Sequence, residues 1–65
     1  MDNYRITCTR DYEGIPKFAL YDPYNNRINS VIMSSESEFI DAVNYFILRG
    51  DLPEEMKEKV TFEGE

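Results

Sequence analysis

Histidine and tryptophan are absent from these 65 residues, cysteine occurs once, and glycine only three times. Without an imidazole, the side chain that most often moves protons near neutral pH is missing, and the chain is expected not to be an enzyme. Cys8 alone can form no intramolecular bridge, which points to a reducing compartment. It has no imidazole to activate it, and its place in an apolar alternation makes it a buried, inert thiol. One thiol and no histidine also exclude a structural zinc set. The spaced carboxylate loop of a calcium site is missing, and Gly14, Gly50 and Gly64 are isolated rather than gathered into a phosphate-cradling loop. No metal, cofactor or small-molecule substrate is expected. The acid pairs Glu36/Glu38 and Glu54/Glu55 read as dipole partners in first turns of helices rather than as hydrolytic pairs.

Long apolar runs are also missing. None approaches the roughly 20 residues of a membrane span, and Met1–Arg5 lacks the basic start and apolar stretch of a secretory signal. A soluble cytoplasmic protein that does not engage membranes is the expectation. What is present, 42% hydrophobic residues and nine aromatics, suits a folded domain. A chain this short buries only about 60% of the surface it exposes when unfolded, so self-association or a partner is a natural source of further stability.

Tyr4, Ile6 and Cys8 alternate with Arg5, Thr7 and Thr9, the period-two pattern of a half-buried strand from Asn3 to about Tyr12. Gly14-Ile15-Pro16 punctuates the chain. Lys17–Tyr21 resumes the alternation with Phe18 and Leu20 on one side, so the two strands form a hairpin. Asp22-Pro23-Tyr24-Asn25-Asn26 is a second hairpin turn. Arg27–Met33 is a third strand, with its alternation broken between Ile28 and Val31, as a bulge or burial on both faces would produce.

Ser35 and Glu38 fit an S-x-x-E capping box that opens a helix running to about Arg49, with Gly50 free to take the left-handed terminating conformation. Phe39, Ile40, Ala42, Val43, Phe46 and Ile47 share one face, expected to cover the sheet. Tyr45 and Leu48 fall on the other side, with Asp41 and Asn44. Leu52–Lys59 reads as a second, short helix whose stripe of Leu52, Met56 and Val60 is placed to pack back on Leu48 or on the sheet edge. Val60–Phe62 leaves a fourth, edge strand open. The fold expected is therefore α+β: a small two-layer domain of residues 1–62, a three-stranded antiparallel sheet packed on one main helix, then a flexible acidic tail over 63–65.

Charge divides the chain more sharply than hydropathy does. Residues 1–33 hold four acids and four bases, whereas residues 34–65 hold nine acids and three bases and so carry the whole net charge of −6. Such polarity suits an electrostatically guided contact. The expected partner is a protein with a basic surface, or a second copy of this chain, met by Glu38, Asp41, Tyr45, Leu48, Asp51, Glu54, Glu55 and Glu58. A carboxylate-rich surface can occupy a cleft built for phosphates, so an inhibitor that mimics nucleic acid is one reading. A homo-oligomeric structural or adaptor domain is another. Arg5, Arg10, Lys17 and Arg27 beside Tyr4, Tyr12, Tyr21 and Tyr24 admit a third, single-strand nucleic-acid binding through the sheet, which the net charge opposes. In size and composition, and in no alignable motif, the chain is similar to the small acidic proteins that bacteriophages use against host defence and nucleic-acid enzymes. That likeness implies an inhibitor and assigns no site residues.

Overall fold

In a computed structural model, which describes residues 3–64, strands β1 (Arg5–Arg10), β2 (Pro16–Tyr21) and β3 (Arg27–Ile32) form an antiparallel meander. Helix α1 (Phe39–Leu48), a 3₁₀ turn η1 (Glu54–Lys59) and a last strand β4 (Thr61–Gly64) follow. β4 pairs with β1 in parallel, so the sheet has order β3-β2-β1-β4. The expected three-stranded antiparallel sheet is thus corrected to four mixed strands. The sequence left β4 open because a four-residue strand shows too few periods of alternation to be recognised. Beside the ladder with β1, tertiary contacts hold it: the Thr61 amide donates to the Tyr4 carbonyl at 2.9 Å, Glu63 pairs with Arg5 at 2.9 Å, and the Phe62 ring lies 4.8 Å from Phe39. Glu63 and Gly64, expected in a loose tail, therefore belong to the sheet. Glu65 lies outside the described residues.

The two meander turns are built alike. Asp11 Oδ1 accepts from the amides of Glu13 and Ile15, at 2.9 and 3.0 Å, and Asp22 Oδ1 accepts from those of Tyr24 and Asn26, at 2.9 and 2.8 Å. In each, the residue three positions after the aspartate takes a positive φ, Gly14 at 82° and Asn25 at 70°. Glycine and asparagine are the residues that tolerate this region. Because Asp11 begins the first turn, β1 ends at Arg10 and Tyr12 is not in the strand. Arg10 ties this corner to the next layer, donating to the carbonyls of Gly14 (2.8 Å) and Ser35 (3.2 Å). The bulge lies where Leu20 pairs with Asn29 and Tyr21 with Arg27, which leaves Ile28 as the extra residue. At the free edge of β3, the Asn29 side chain accepts from the Ser30 amide at 2.8 Å and donates to Asp51 at 2.9 Å.

Ile6, Cys8, Phe18 and Leu20 of the sheet meet Ala42, Val43 and Phe46 of α1 and Leu52 beyond it in the core. α1 starts one turn later than the Ser35/Glu38 box implies. Glu38 is the N-cap, and its amide donates to Asp41 Oδ2 at 2.8 Å. Ser34–Ser37 instead closes a turn, the Ser37 amide donating to the Ser34 carbonyl at 3.0 Å. The C-terminus ends as expected: Gly50 has φ 84°, while the Gly50 and Asp51 amides donate to the carbonyls of Ile47 and Phe46 at 3.0 and 2.9 Å. This Schellman pattern turns the chain so that Leu52 drops into the core.

Two measurements check this account. Leu52→Ala, at a fully buried position, is expected to cost about 3 kcal/mol of unfolding free energy in urea titrations. Asp22 gives a pH dependence. The Asn26 amide first, then the Asn26 side chain and the Tyr24 amide, hold its carboxyl below the ordinary aspartate value, against opposing desolvation. A depressed folded value means the stabilisation is whole above pH about 4 and is lost as pH falls through that lower value. Asp22→Asn should flatten the acid limb of the stability profile relative to the parent chain.

Candidate functional site

The expected binding residues lie in one layer of the molecule but not on one plane. Glu38 and Asp41 stand at the N-terminus of α1, where Asp41 Oδ2 holds the Glu38 amide. Tyr45 and Leu48 are one and two turns further along the helix. Asp51 sits in the loop after α1 and accepts from Asn29 Nδ2, so it is partly committed to bracing β3. Glu54, Glu55 and Glu58 are exposed on η1. No three Asp, Glu or Cys side chains among the described residues come close enough to hold a metal ion, so the negative charge is spread rather than focused.

Tyr45 and Leu48 prove to be different kinds of residue. Tyr45 is half-buried against the core, its ring edge-on to Phe46 at 5.4 Å and under the Arg49 guanidinium at 5.7 Å. Leu48 is 88% exposed. Ile40, expected in the core, is 51% exposed. One rotation accounts for Tyr45 and Ile40. α1 is rolled about its axis toward Tyr45, which covers Tyr45 on one flank of the buried face and uncovers Ile40 on the opposite flank. The stripe Leu52-Met56-Val60 packs on the core as well and leaves Leu48 uncovered. The outward face of α1 is therefore Ile40, Asn44 and Leu48, four residues apart, with Asp41 beside them. Ile40 was missed as a surface residue; its spacing of eight from Leu48 is the signal that places the two on one ridge.

The opposite side of the sheet carries the other sign. Among the described residues no helix packs there, because α1 and η1 both lie on the face that buries Ile6 and Leu20. Arg5, Thr7 and Thr9 of β1, Lys17 and Tyr21 of β2, and Arg27 of β3 point that way by alternation. Arg5 is engaged with Glu63 and Asn25 and stacks on Tyr21 at 4.4 Å. A polar cleft of about 400 Å³ opens beside it, lined by Arg5, Asp22, Asn25, Thr61 and Glu63 among others. Among the described residues no helix is long and apolar enough to cross a membrane. No family model matches the chain, and no curated protein or solved structure matches it.

The roll of α1 separates Tyr45 from Leu48 experimentally. Leu48→Ser should change unfolding free energy by no more than about 0.5 kcal/mol, as for surface substitutions generally. Tyr45→Ala should cost roughly 2 kcal/mol, because it removes a ring packed on the core. Chemical denaturation of the two variants side by side is the check.

Proposed function

We propose that this chain is a non-enzymatic binding module that docks the α1–η1 side on a basic protein surface in the cytoplasm. The observation that carries the reading is the ridge of Ile40, Asn44 and Leu48. Two apolar side chains stand exposed on one helix face, with Glu38 and Asp41 at one end and Asp51, Glu54, Glu55 and Glu58 beyond the other. An apolar centre with a charged rim is the usual anatomy of a protein contact. Here the rim is acidic, and residues 34–60 hold seven acids against three bases.

Basic clefts of the matching kind occur on proteins that handle nucleic acid, where carboxylates can stand in for phosphates. The mechanism is then occlusion: the module covers the cleft sterically and electrostatically, without turnover. This is the mode of small acidic inhibitors of the kind bacteriophages deploy.

Capture from nuclease-treated bacterial lysate on the immobilised chain tests it. A retained protein should elute with salt, be displaced by added DNA or RNA, and fail to bind a variant carrying Leu48→Ser with Glu54→Gln, Glu55→Gln and Glu58→Gln. Equal retention by parent and variant would sink the reading.

A further inference from the structure

The two faces of this molecule complement each other. The uncovered face of the sheet presents Arg5, Lys17 and Arg27 against Glu63, which Arg5 already engages, and Asp11 at the cleft end, whose Oδ1 is held by the Glu13 and Ile15 amides. The helical layer is strongly acidic. At one end of the open face, the first meander turn and the end of β3 enclose a cleft of about 230 Å³ lined by Thr9, Arg10, Asp11, Ile15, Lys17 and Ile32. Ile32 is 70% exposed there. The cleft has room for one aliphatic side chain, with Lys17 at its rim and Arg27 at the far end of the same face.

We propose that the occupant of this cleft is Leu48 of a second copy of the chain, seated between Ile15 and Ile32 while the carboxylates of the second copy's η1 face Lys17 and Arg27. Leu48 and the cleft lie on opposite layers of one molecule, and the core holds α1 in place, so the contact forms only between copies. It is heterologous: each copy offers a helical face to one neighbour and a sheet face to another, which generates rings or open chains rather than a closed pair. The contact shares Leu48 with the surface proposed above for a basic partner. It does not depend on that partner, since Lys17 and Arg27 lie outside that surface.

Charge reversal in complementary pairs tests it. Three forms are compared by sedimentation at near-physiological salt: the parent chain, a Lys17→Glu/Arg27→Glu variant and a Glu54→Lys/Glu55→Lys variant. All four substituted positions are exposed, and far-ultraviolet dichroism confirms folding before each run. The parent is expected to gain mass with concentration, each variant alone to stay monomeric, and an equimolar mixture of the two variants to recover assembly, because every contact in the mixture pairs opposite charges. Leu48→Ser in the parent should weaken association at least tenfold. A parent chain that stays monomeric up to its solubility limit, variants that assemble as the parent does, or a mixture that stays monomeric would each overturn the proposal. So would an open face that binds a single-stranded oligonucleotide in place of a second copy. Lysate capture that survives Lys17→Glu/Arg27→Glu while self-assembly is lost separates this contact from the one with a foreign partner.

Discussion

The contact of Ala42, Val43 and Phe46 with Ile6, Phe18 and Leu20 is the constraint on which the other elements depend. Among the described residues α1 is the one α-helix, and it can shield one face of one sheet. Everything else follows from this shortage. The second face of the sheet stays open, the helix presents its own back to solvent, and the segment after α1 is used to fill the remaining gap with Leu52 rather than to cover Leu48. Small domains live close to the limit of what burial can stabilise, and here the limit decides where surfaces remain exposed.

The local chemistry at the corners compensates for the thin core. Two turns with the same arrangement of aspartate, amides and a left-handed residue define the register of the meander before any packing is considered. Arg10 then joins the first of these turns to the segment that leads into α1, and Arg5 joins the second to β4 through Asn25 and Glu63. Both arginines lie on β1, which β2 and β4 flank. Two cations of the neutral half therefore serve as cross-braces, and Lys17 and Arg27 give the open face its sign.

Much of the fold was legible because its signals are local. Period-two alternation marked β1 and β2, Asp-Pro-Tyr-Asn-Asn marked a turn, and Gly50 marked the end of α1. The pattern was silent where the outcome is set by distant residues. β4 has four residues and is defined by Phe39, Tyr4 and Arg5, which no window of sequence reveals. The start of α1 was misplaced because Ser35-x-x-Glu38 satisfies a capping rule in sequence, while the turn closed by Ser34 and Ser37 takes those residues first. The roll of the helix covered Tyr45 on one flank of the core and uncovered Ile40 on the other, since a helical wheel gives the width of an apolar face but not its exact rotation over a twisted sheet. Of the expected binding residues, Leu48 and the carboxylates of η1 stand exposed, whereas Tyr45 is part of the fold.

The parallel pairing of β4 with β1 has a consequence for how the molecule comes into being. Arg5 and Glu63 are 58 residues apart, so β1 receives its second neighbour only after nearly all of this sequence has been made. Until then β1 is an edge strand, with unmet amide and carbonyl groups along one side. The β3 edge carries its own protection, since Asn29 occupies the Ser30 amide. The β1 edge has only β4, and closing so long a loop is slow compared with forming the hairpins. During synthesis the vulnerable side of this protein is thus the one that ends up interior to the sheet, and the making of Thr61–Gly64 is itself the step that shields it.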